Sequence, residues 1–460
     1  MNTENTAGFI IMDGSLYQKR RSFMNTCEKL LRFLDACPTA YHAAAYFKGI
    51  LKEHGYTELM ENQPWELRKG GCYFVSRNSS SLIAFRIPES NAHGFMISAS
   101  HTDSPALKLK PSPELQREGL VQLNVEGYGS LLCAPWFDRP LTIAGRVLVR
   151  EKDSVIQKLL YIDRDLLMIP SLAIHMDRQF NQGHTYNIQK EMCPLFRDEN
   201  GSTDFITLIA EETGTAKEDI LSYDLYAVPR TKGTCFGAEN EFVCAPHLDD
   251  LECAFAGMEG FLTAAPAQVI AMICLFDNEE VGSRSRQGAD STFLSDTMLR
   301  LRECLSLSGN EYLGMLADSF LLSADNAHAV HPSWPEKADP CCRPKMNGGI
   351  VIKHAANQLY TTDAVSAAIV KQLARNAAVP VQEFANRSDM IGGSTLGNIS
   401  NSHISLKTAD IGLAQLAMHS PCETAGAKDV EYLVKLSRAL FESALETGPN
   451  GSIRICSARF

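Results

Sequence analysis

The chain has 460 residues, of which 45% are hydrophobic and 21% charged, a composition typical of a soluble globular protein with a large core. Its net charge of −11 and the lack of a dense lysine and arginine stripe exclude nucleic-acid binding. No apolar stretch reaches the about 18–20 residues of a membrane helix, and the N-terminus does not resemble a signal peptide. We therefore expect a cytoplasmic protein without membrane partners.

The cysteine pattern points to thiols rather than to a structural metal site. None of the 14 cysteines forms a CxxC pair, so a zinc ribbon is excluded. Several of them, such as Cys253 and Cys274, lie in apolar segments. We expect reduced, mostly buried thiols.

The N-terminal region predicts an arm followed by two helices. Residues 1–22 show no clear periodicity and suggest a loose extension or an arm for a neighbouring subunit. The apolar positions from Thr26 to Lys52 have helical spacing, and Pro38 interrupts it. Two consecutive helices are expected here.

Strand patterns follow this helical region. Residues 71–75 and 81–85 predict two strands joined by a tight turn. The run Gly94–Ser100 is continuously apolar or small, which is typical of a central strand buried on both faces. A sheet with a buried centre is therefore expected in this part of the chain.

Residues 109–240 differ in character and predict an inserted β-rich domain. This part is richer in alternating and β-branched segments, namely Leu141–Val149, Phe205–Ala210 and Asp224–Pro229. The insertion divides the main domain into a first part, residues 1–108, and a second part, residues 241–460.

The second part alternates between helix and strand patterns. The predicted elements are a helix after Asp249, strands at Val269–Phe276 and Tyr312–Leu316, a helix at Ala364–Asn376, a strand at Val381–Phe384 and a final helix at Val430–Leu445. Such alternation predicts an α/β fold with a mixed, largely parallel sheet and helices on both faces.

Metal-type residues recur at or just past the ends of the apolar runs, or at the start of a helix. They are His101, with Asp103 two positions later, Asp249, the pair Glu279-Glu280, Asp325 and His419. In a parallel sheet the carboxyl ends of the strands meet at one edge, where ligands gather. The pattern predicts the rim of such a sheet holding two divalent metal ions.

The residue types fit two catalytic sites that share one carboxylate. If Asp249 bridges, His101 and Asp325 complete one site, whereas Glu280 and His419 complete the other. Each ion then has three protein ligands and an open position for water. Histidine and carboxylate ligands without thiolate suit Zn²⁺, with Co²⁺ or Mn²⁺ as alternatives.

Two further acids have predicted roles beside these ligands. Asp103 can orient His101, because residues two apart on an extended backbone point the same way. Glu279 can take a proton from an activated water while its neighbour Glu280 binds metal.

Each position taken alone has an ordinary explanation. Asp249 can cap a helix, Glu279-Glu280 can lie in a solvated loop, Asp325 can lie in a turn, and His419 can be a satisfied core histidine. The metal hypothesis depends on the recurrence of the pattern rather than on any single residue.

Long blocks make the chain recognisable. In order, between about residues 26 and 445, they are SASHTDSPALKLKP, LNVEGYGSLLCAPWFDRPLTIAGRV, IPSLAIHMDRQFNQG, APHLDDL, FDNEEVGSRSRQGA, SADNAHAVHP and LAQLAMHSPCETAG. Together they resemble the aspartyl aminopeptidase family of metallopeptidases.

The resemblance implies an enzyme that releases single N-terminal residues from peptides, with a preference for Asp or Glu. It implies a catalytic domain with two metal ions and an activated hydroxide, interrupted by a β-rich dimerisation domain, and a homo-oligomer that is a dodecamer built from dimers. It assigns the same ligands, Glu279 as general base and Asp103 as the residue that orients His101.

The resemblance also implies one substrate-binding residue, His175, which corresponds to a histidine that reaches the active site of the neighbouring subunit. Lys353 is a further candidate partner for a substrate carboxylate, although a surface lysine explains it equally well. Relatives tend to have Arg at the positions of His247 and Leu359, so the preference for acidic N-terminal residues can be weaker here. Backbone N–H groups in the glycine-rich run 392–397 can also meet a substrate carboxylate, although a tight turn explains the run equally well.

The sequence is less consistent with other functions. A serine hydrolase needs a GxSxG elbow, and the run from Gly392 to Leu396 lacks the final glycine. A carboxypeptidase or an N-acyl amino acid deacylase on the same fold stays an alternative. A catalytically silent scaffold is disfavoured, because clustered acids without cations are costly to bury.

Overall fold

The computed structural model describes residues 14–390 and 392–457. Its helices, in chain order, are α1 Gly14–Ala36, α2 Ala40–Glu53, α3 Ile188–Glu191, α4 Phe205–Thr213, α5 Leu248–Thr263, α6 Phe293–Cys304, α7 Gly309–Ala317, α8 Ala364–Asn376, α9 Leu396–His403 and α10 Asp429–Phe441.

The strands, in chain order, are β1 Thr57–Leu59, β2 Cys72–Arg77, β3 Ser81–Arg86, β4 Phe95–His101, β5 Ala106–Arg117, β6 Leu120–Tyr128, β7 Leu141–Glu151, β8 Ser154–Tyr161, β9 Leu195–Asp198, β10 Ile220–Pro229, β11 Thr234–Phe236, β12 Phe242–Ala245, β13 Ile270–Phe276, β14 Phe320–Ala324, β15 Ala327–His328, β16 Ile350–His354, β17 Val381–Ala385, β18 Lys407–Gly412, β19 Ala414–Leu416, β20 Glu423–Gly426, β21 Ser443–Thr447 and β22 Ile453–Ser457.

A nine-stranded mixed sheet in the order β1-β2-β3-β13-β4-β14-β18-β16-β17 forms the centre of the molecule. Its four middle strands, β13, β4, β14 and β18, run parallel. Every residue of β4 and β13 is buried, as expected for apolar strands covered on both faces. Helices α5 and α10 pack on one face, and α6 and α7 on the other. The predicted α/β fold class is confirmed.

A second, six-stranded antiparallel sheet in the order β8-β7-β10-β5-β6-β9 occupies residues 106–229. It has its own core, which includes Leu107, Leu123, Ile143 and Leu225 together with Phe205 of α4. A third sheet, in the order β11-β12-β20-β19-β15, shares an apolar core with the central one through residues such as Val243 and Ala425. Within the described residues, no helix is long and apolar enough to cross a membrane.

Two strand predictions were wrong because helix caps outweigh composition. Phe205–Ala210 belongs to α4, which the Asp204 side chain caps at its start and left-handed Gly214 ends. Tyr312–Leu316 belongs to α7, which begins with a capping box between Ser308 and Glu311.

The last helix, the N-terminal segment and one pair of cysteines also differ from the predictions. The final helix is shorter than predicted, since α10 ends at Phe441 and Ser443–Thr447 is a strand. The predicted N-terminal arm falls partly on residues 1–13, which lie outside the described residues, and the rest of it belongs to α1. The expectation of reduced cysteines was wrong for one pair, because a disulfide joins Cys244 and Cys422.

Candidate metal centre

Three of the predicted metal-type positions lie at the carboxyl edge of the central sheet. His101 is the last residue of β4, Glu280 lies just after β13, and Asp325 directly follows β14. These strands are parallel neighbours, so their ends meet at one edge. The apolar runs before these residues therefore marked the ends of the strands correctly.

The other two positions come from the five-stranded sheet. Asp249 follows β12 in the first turn of α5, and His419 follows β19. The expectation that one parallel sheet supplies all five positions was therefore wrong. A local pattern marks the end of a strand, but it does not show in which sheet the strand pairs.

The structure brings these five residues into two groups that share Asp249. One group is His101, Asp249 and Asp325; the other is Asp249, Glu280 and His419. The possible ligand atoms of each group lie within 4.8 Å of one another. The two oxygens of Asp249 face different histidines, with His101 Nε2 at 3.6 Å from Oδ1 and His419 Nε2 at 3.7 Å from Oδ2.

These separations suit ligands around a small cation better than they suit direct hydrogen bonds. Zinc with ligands at about 2.1 Å in a tetrahedron holds neighbouring ligand atoms about 3.4 Å apart. The Nε2 atom of His419 lies 3.4 Å from Glu280 Oε2 and 3.7 Å from Asp249 Oδ2. Asp249 Oδ1 is buried and accepts no hydrogen bond within the part of the chain that is described. The donor set therefore fits two divalent cations.

Backbone carbonyls orient both histidines. The Nδ1 of His101 lies 3.0 Å from the carbonyl oxygen of Asp103, and the Nδ1 of His419 lies 2.8 Å from that of Ser130. If Nδ1 of each ring carries the proton, its N–H group donates to the carbonyl oxygen. The lone pair of Nε2 is then directed at Asp249. This tautomer is the one that binds metal through Nε2.

The acids at this edge are costly to ionise together. Burial and nearby carboxylates raise the pKa of Glu279 to about 8 and that of Asp325 to about 6, and they hold the pKa of Glu280 well above its usual range. Burial also acts on Asp249, but the neighbouring His101 outweighs it and lowers the pKa of that carboxyl. Cations in the two groups would stabilise all four carboxylates in their charged form.

Asp103 contacts more than the histidine it was predicted to orient. Its Oδ1 lies 3.4 Å from His101 Nδ1, so the shorter contact with this ring is through the backbone carbonyl. Its carboxylate accepts the backbone N–H groups of Glu279 and Glu280, each at 3.1 Å. Asp103 therefore also fixes the turn that carries the proposed base.

Comparisons with known proteins agree with this arrangement. The family model described as "Aminopeptidase I zinc metalloprotease (M18)" matches residues 33–441. The probable M18 family aminopeptidase 2 of Clostridium acetobutylicum is 43% identical over 422 residues, which is 89% of this chain and 96% of that protein. The corresponding protein of Clostridium novyi is 40% identical and covers 90% and 98%.

This chain belongs to the M18 family of zinc aminopeptidases. It is therefore a metallo-aminopeptidase, as the resemblance to aspartyl aminopeptidases implied.

Solved structures of similar proteins share this fold over most of their length. The chain is similar to Ape4 in the cryo-EM structure of the Ape4 and Nbr1 complex, with a TM-score of 0.89, 36% identity, and coverage of 92% of this chain and 86% of that one. It is also similar to mApe1 of S. cerevisiae, solved as a dodecamer, with a TM-score of 0.81, 28% identity, and coverage of 91% and 97%.

The site of this M18 aminopeptidase opens into a cavity of about 230 Å³. Besides the metal-type residues, its walls include Lys353, Tyr360 and the loop Gly393–Thr395. Lys353 is buried, with its Nζ 3.5 Å from Asp325 Oδ2. The glycine-rich run therefore does reach the cavity.

Three other sequence candidates lie elsewhere. His175 is exposed in the segment between β8 and α3, and it is not among the residues that line this cavity. His247 lines a separate, small cavity behind Asp103, and burial lowers the pKa of its imidazole to about 4. Leu359 is half-buried and precedes Tyr360, whose side chain does line the metal cavity.

Sequence reasoning missed supporting residues that the fold brings to the M18 site. The carboxylate of Glu423 accepts the backbone N–H groups of Asp249, at 2.9 Å, and His419, at 2.7 Å, so it ties the two loops together. Asp410 accepts the Thr395 hydroxyl at 2.6 Å and so supports the cavity wall. The only local signal for Glu423 was its place four residues after His419 within a recognised block.

Proposed function

We propose that this M18 aminopeptidase holds two divalent cations and releases single N-terminal residues from peptides. The cations are Zn²⁺, with Co²⁺ or Mn²⁺ as alternatives. The proposal is carried by one observation: two three-residue ligand groups share Asp249 beside the buried carboxyl of Glu279. His101 and Asp325 complete one group, and Glu280 and His419 the other. We further propose that the enzyme acts in the cytoplasm.

Glu279 is the proposed general base. Two bound cations would acidify a water molecule and polarise the scissile carbonyl. Glu279 takes the proton of that water at its carboxylate and returns it to the leaving amine. Burial raises the pKa of its carboxyl to about 8. Cations in the two ligand groups would lower that pKa again, so that the carboxylate could accept a proton at neutral pH.

The shape and charge of the cavity support cleavage at a chain end. Its volume of about 230 Å³ is below the about 300–1,000 Å³ of sites that enclose a drug-sized ligand. A free amine is positively charged at neutral pH and suits the carboxylate of Glu279, which lines the cavity and belongs to neither ligand group. The N-terminus of a peptide meets both conditions.

A preference for Asp or Glu at that end would depend on Lys353. Among the described residues that line the cavity, it is the one lysine or arginine, and it stays charged because Asp325 outweighs the effect of its burial and raises its pKa. The ammonium group of Lys353 can contact both Asp325 and an acidic side chain of the substrate. With no arginine at positions 247 and 359, we propose a weaker acidic preference than full arginine sites would give.

Substrate panels test this function. We expect turnover of peptides with a free N-terminus and at least about 100-fold lower kcat/KM on their acetylated forms, because the amine is part of the recognition. Asp-, Glu-, Leu-, Met- and Lys-peptides, measured by release of the first residue, report the side-chain preference. Equal turnover of acetylated peptides, or release of the last residue, would favour the deacylase or carboxypeptidase alternatives.

We also propose a homo-oligomer in which residues 109–240 form dimers and the dimers form a dodecamer. β8 is an edge strand of the six-stranded sheet, and its Val155 and Leu159 are 63% and 40% exposed. An apolar edge strand of this kind is a surface for pairing with another chain. The exposed His175 would then contact the active site of a neighbouring subunit, and the dodecamer of the mApe1 relative supports this assembly.

Charge on that edge should disrupt the assembly. The double variant Val155→Glu/Leu159→Glu is expected to lower the mass in solution, measured by light scattering, and to reduce activity with it. Leu313→Glu, on the outward face of α7, removes a leucine of 64% exposure and serves as the matched control with unchanged mass. An unaltered mass in the double variant would contradict assembly through β8.

A further inference from the structure

The segment that leaves β6 runs directly past the metal-type residues. Its first residue, Tyr128, donates its hydroxyl hydrogen to Asp103 Oδ2 at 2.7 Å and accepts a hydrogen bond from Asn278 Nδ2 at 2.8 Å. Asp103 in turn accepts the backbone N–H groups of Glu279 and Glu280. The turn that carries the two glutamates is thus held on two sides, through Asp103 and through Asn278.

The next residue packs against a proposed metal ligand. Gly129 has a φ of +73°, and a Cβ built on it would lie 3.1 Å from Glu280 Cβ and 3.4 Å from Glu280 Oε2. Any larger residue would push the glutamate by a few tenths of an ångström. The Glu280 side chain can therefore occupy this position only because residue 129 has no side chain.

The third residue of the segment contacts the other end of the same ligand group. The carbonyl oxygen of Ser130 lies 2.8 Å from Nδ1 of His419, and Leu132 N donates to the carbonyl oxygen of His419 at 3.2 Å. Three consecutive residues of the six-stranded sheet and its exit loop thus contact Asp103, Glu280 and His419.

We propose that Tyr128–Ser130 is a positioning segment through which the six-stranded sheet sets the place of Glu279, Glu280 and His419. Ligand atoms around zinc must be placed to within about 0.2 Å, a tolerance that contacts of this type can provide. The inference rests on the proposed roles of Glu279, Glu280 and His419. It adds that the six-stranded sheet, which lies outside the central α/β unit, determines how precisely these residues are positioned.

Gly129→Ala tests the steric part. We expect at least about 10-fold weaker Zn²⁺ binding by isothermal titration to the metal-depleted protein, comparable to the loss of an outer partner of a ligand. Gly119→Ala is the matched control, because Gly119 lies at the other end of β6 with a φ of +79° and its Cβ would meet nothing closer than 3.7 Å. Both variants carry the backbone cost of a left-handed alanine, but only one touches Glu280.

Tyr128→Phe tests the hydrogen-bonded part. It removes one hydroxyl bonded to a carboxylate, so we expect kcat to fall by about tenfold to a hundredfold with KM changed less than about threefold. Tyr226→Phe removes the hydroxyl of the ring that packs edge-on against Tyr128, at 5.7 Å between centroids, and should leave kcat within about twofold. In the double variant with Asp103→Asn, the two losses should not add, because both act through one network.

The outcomes separate this inference from the proposed function. If wild-type protein and Gly119→Ala bind zinc and cleave peptides while Gly129→Ala and Tyr128→Phe match them, the positioning role is refuted. It is equally refuted if Tyr226→Phe loses as much kcat as Tyr128→Phe, since general packing then explains both. If the wild type neither binds zinc nor cleaves peptides, the proposed function itself fails.

Discussion

Asp249→Ala should remove metal from both ligand groups at once. Asp249 is the residue that both groups share, with one oxygen directed at His101 and the other at His419. Each group would keep two protein ligands, fewer than the three of catalytic zinc sites. We expect bound zinc, measured by mass spectrometry of the purified protein, to fall below detection and kcat to fall by at least about 10⁴-fold.

A second buried aspartate separates loss of metal from loss of stability. Asp429 is fully buried at the start of α10 and accepts the backbone N–H groups of Asn347 and Gly349. Asp429→Asn should lower the melting temperature but keep the zinc content of the wild type. A chelator should lower the melting temperature of the wild type and leave that of Asp249→Ala unchanged, because only a protein that binds the ion gains stability from it. Full zinc content in Asp249→Ala would refute the shared ligand.

Glu279→Gln should separate catalysis from metal binding. The amide keeps the size of the side chain but does not take up a proton at neutral pH, so kcat should fall by about 10²–10⁴-fold or more. Zinc content should match the wild type, because Glu279 belongs to neither ligand group. Steady-state kinetics on a free-amine peptide, together with metal analysis of the same sample, gives both values.

An exposed glutamate provides the control for that substitution. Glu303 lies exposed in the last turn of α6, so Glu303→Gln makes the same chemical change away from the cavity and should leave kcat within about twofold. If Glu279→Gln retains wild-type kcat, Glu279 is not the base. If Glu279→Gln instead loses both kcat and zinc, Glu279 acts as a metal ligand.

Local sequence patterns determine some elements of this protein and not others. His101, Glu280 and Asp325 each follow a buried apolar strand, and such a run marks a strand end at the edge of the central sheet without knowledge of the partners. Phe205–Ala210 shows the opposite case, because its apolar composition fits a strand while the caps Asp204 and Gly214 make it a helix. Whether the caps or the composition determine the secondary structure of this segment depends on how it packs in the folded chain.

The sequence by itself determined the family, the α/β class and the residue types that form the two ligand groups, because these depend on short blocks and on local periodicity. Only the tertiary structure decided that Asp249 and His419 follow strands of a separate five-stranded sheet. It also decided that Glu423 accepts the backbone N–H groups of both residues. It also decided that Tyr128–Ser130 lies against the site. The bonds Asn278–Tyr128, Asp249–Glu423 and His419–Ser130 join residues 150, 174 and 289 positions apart. Strand pairing and packing over such distances are set by the whole core rather than by any local pattern.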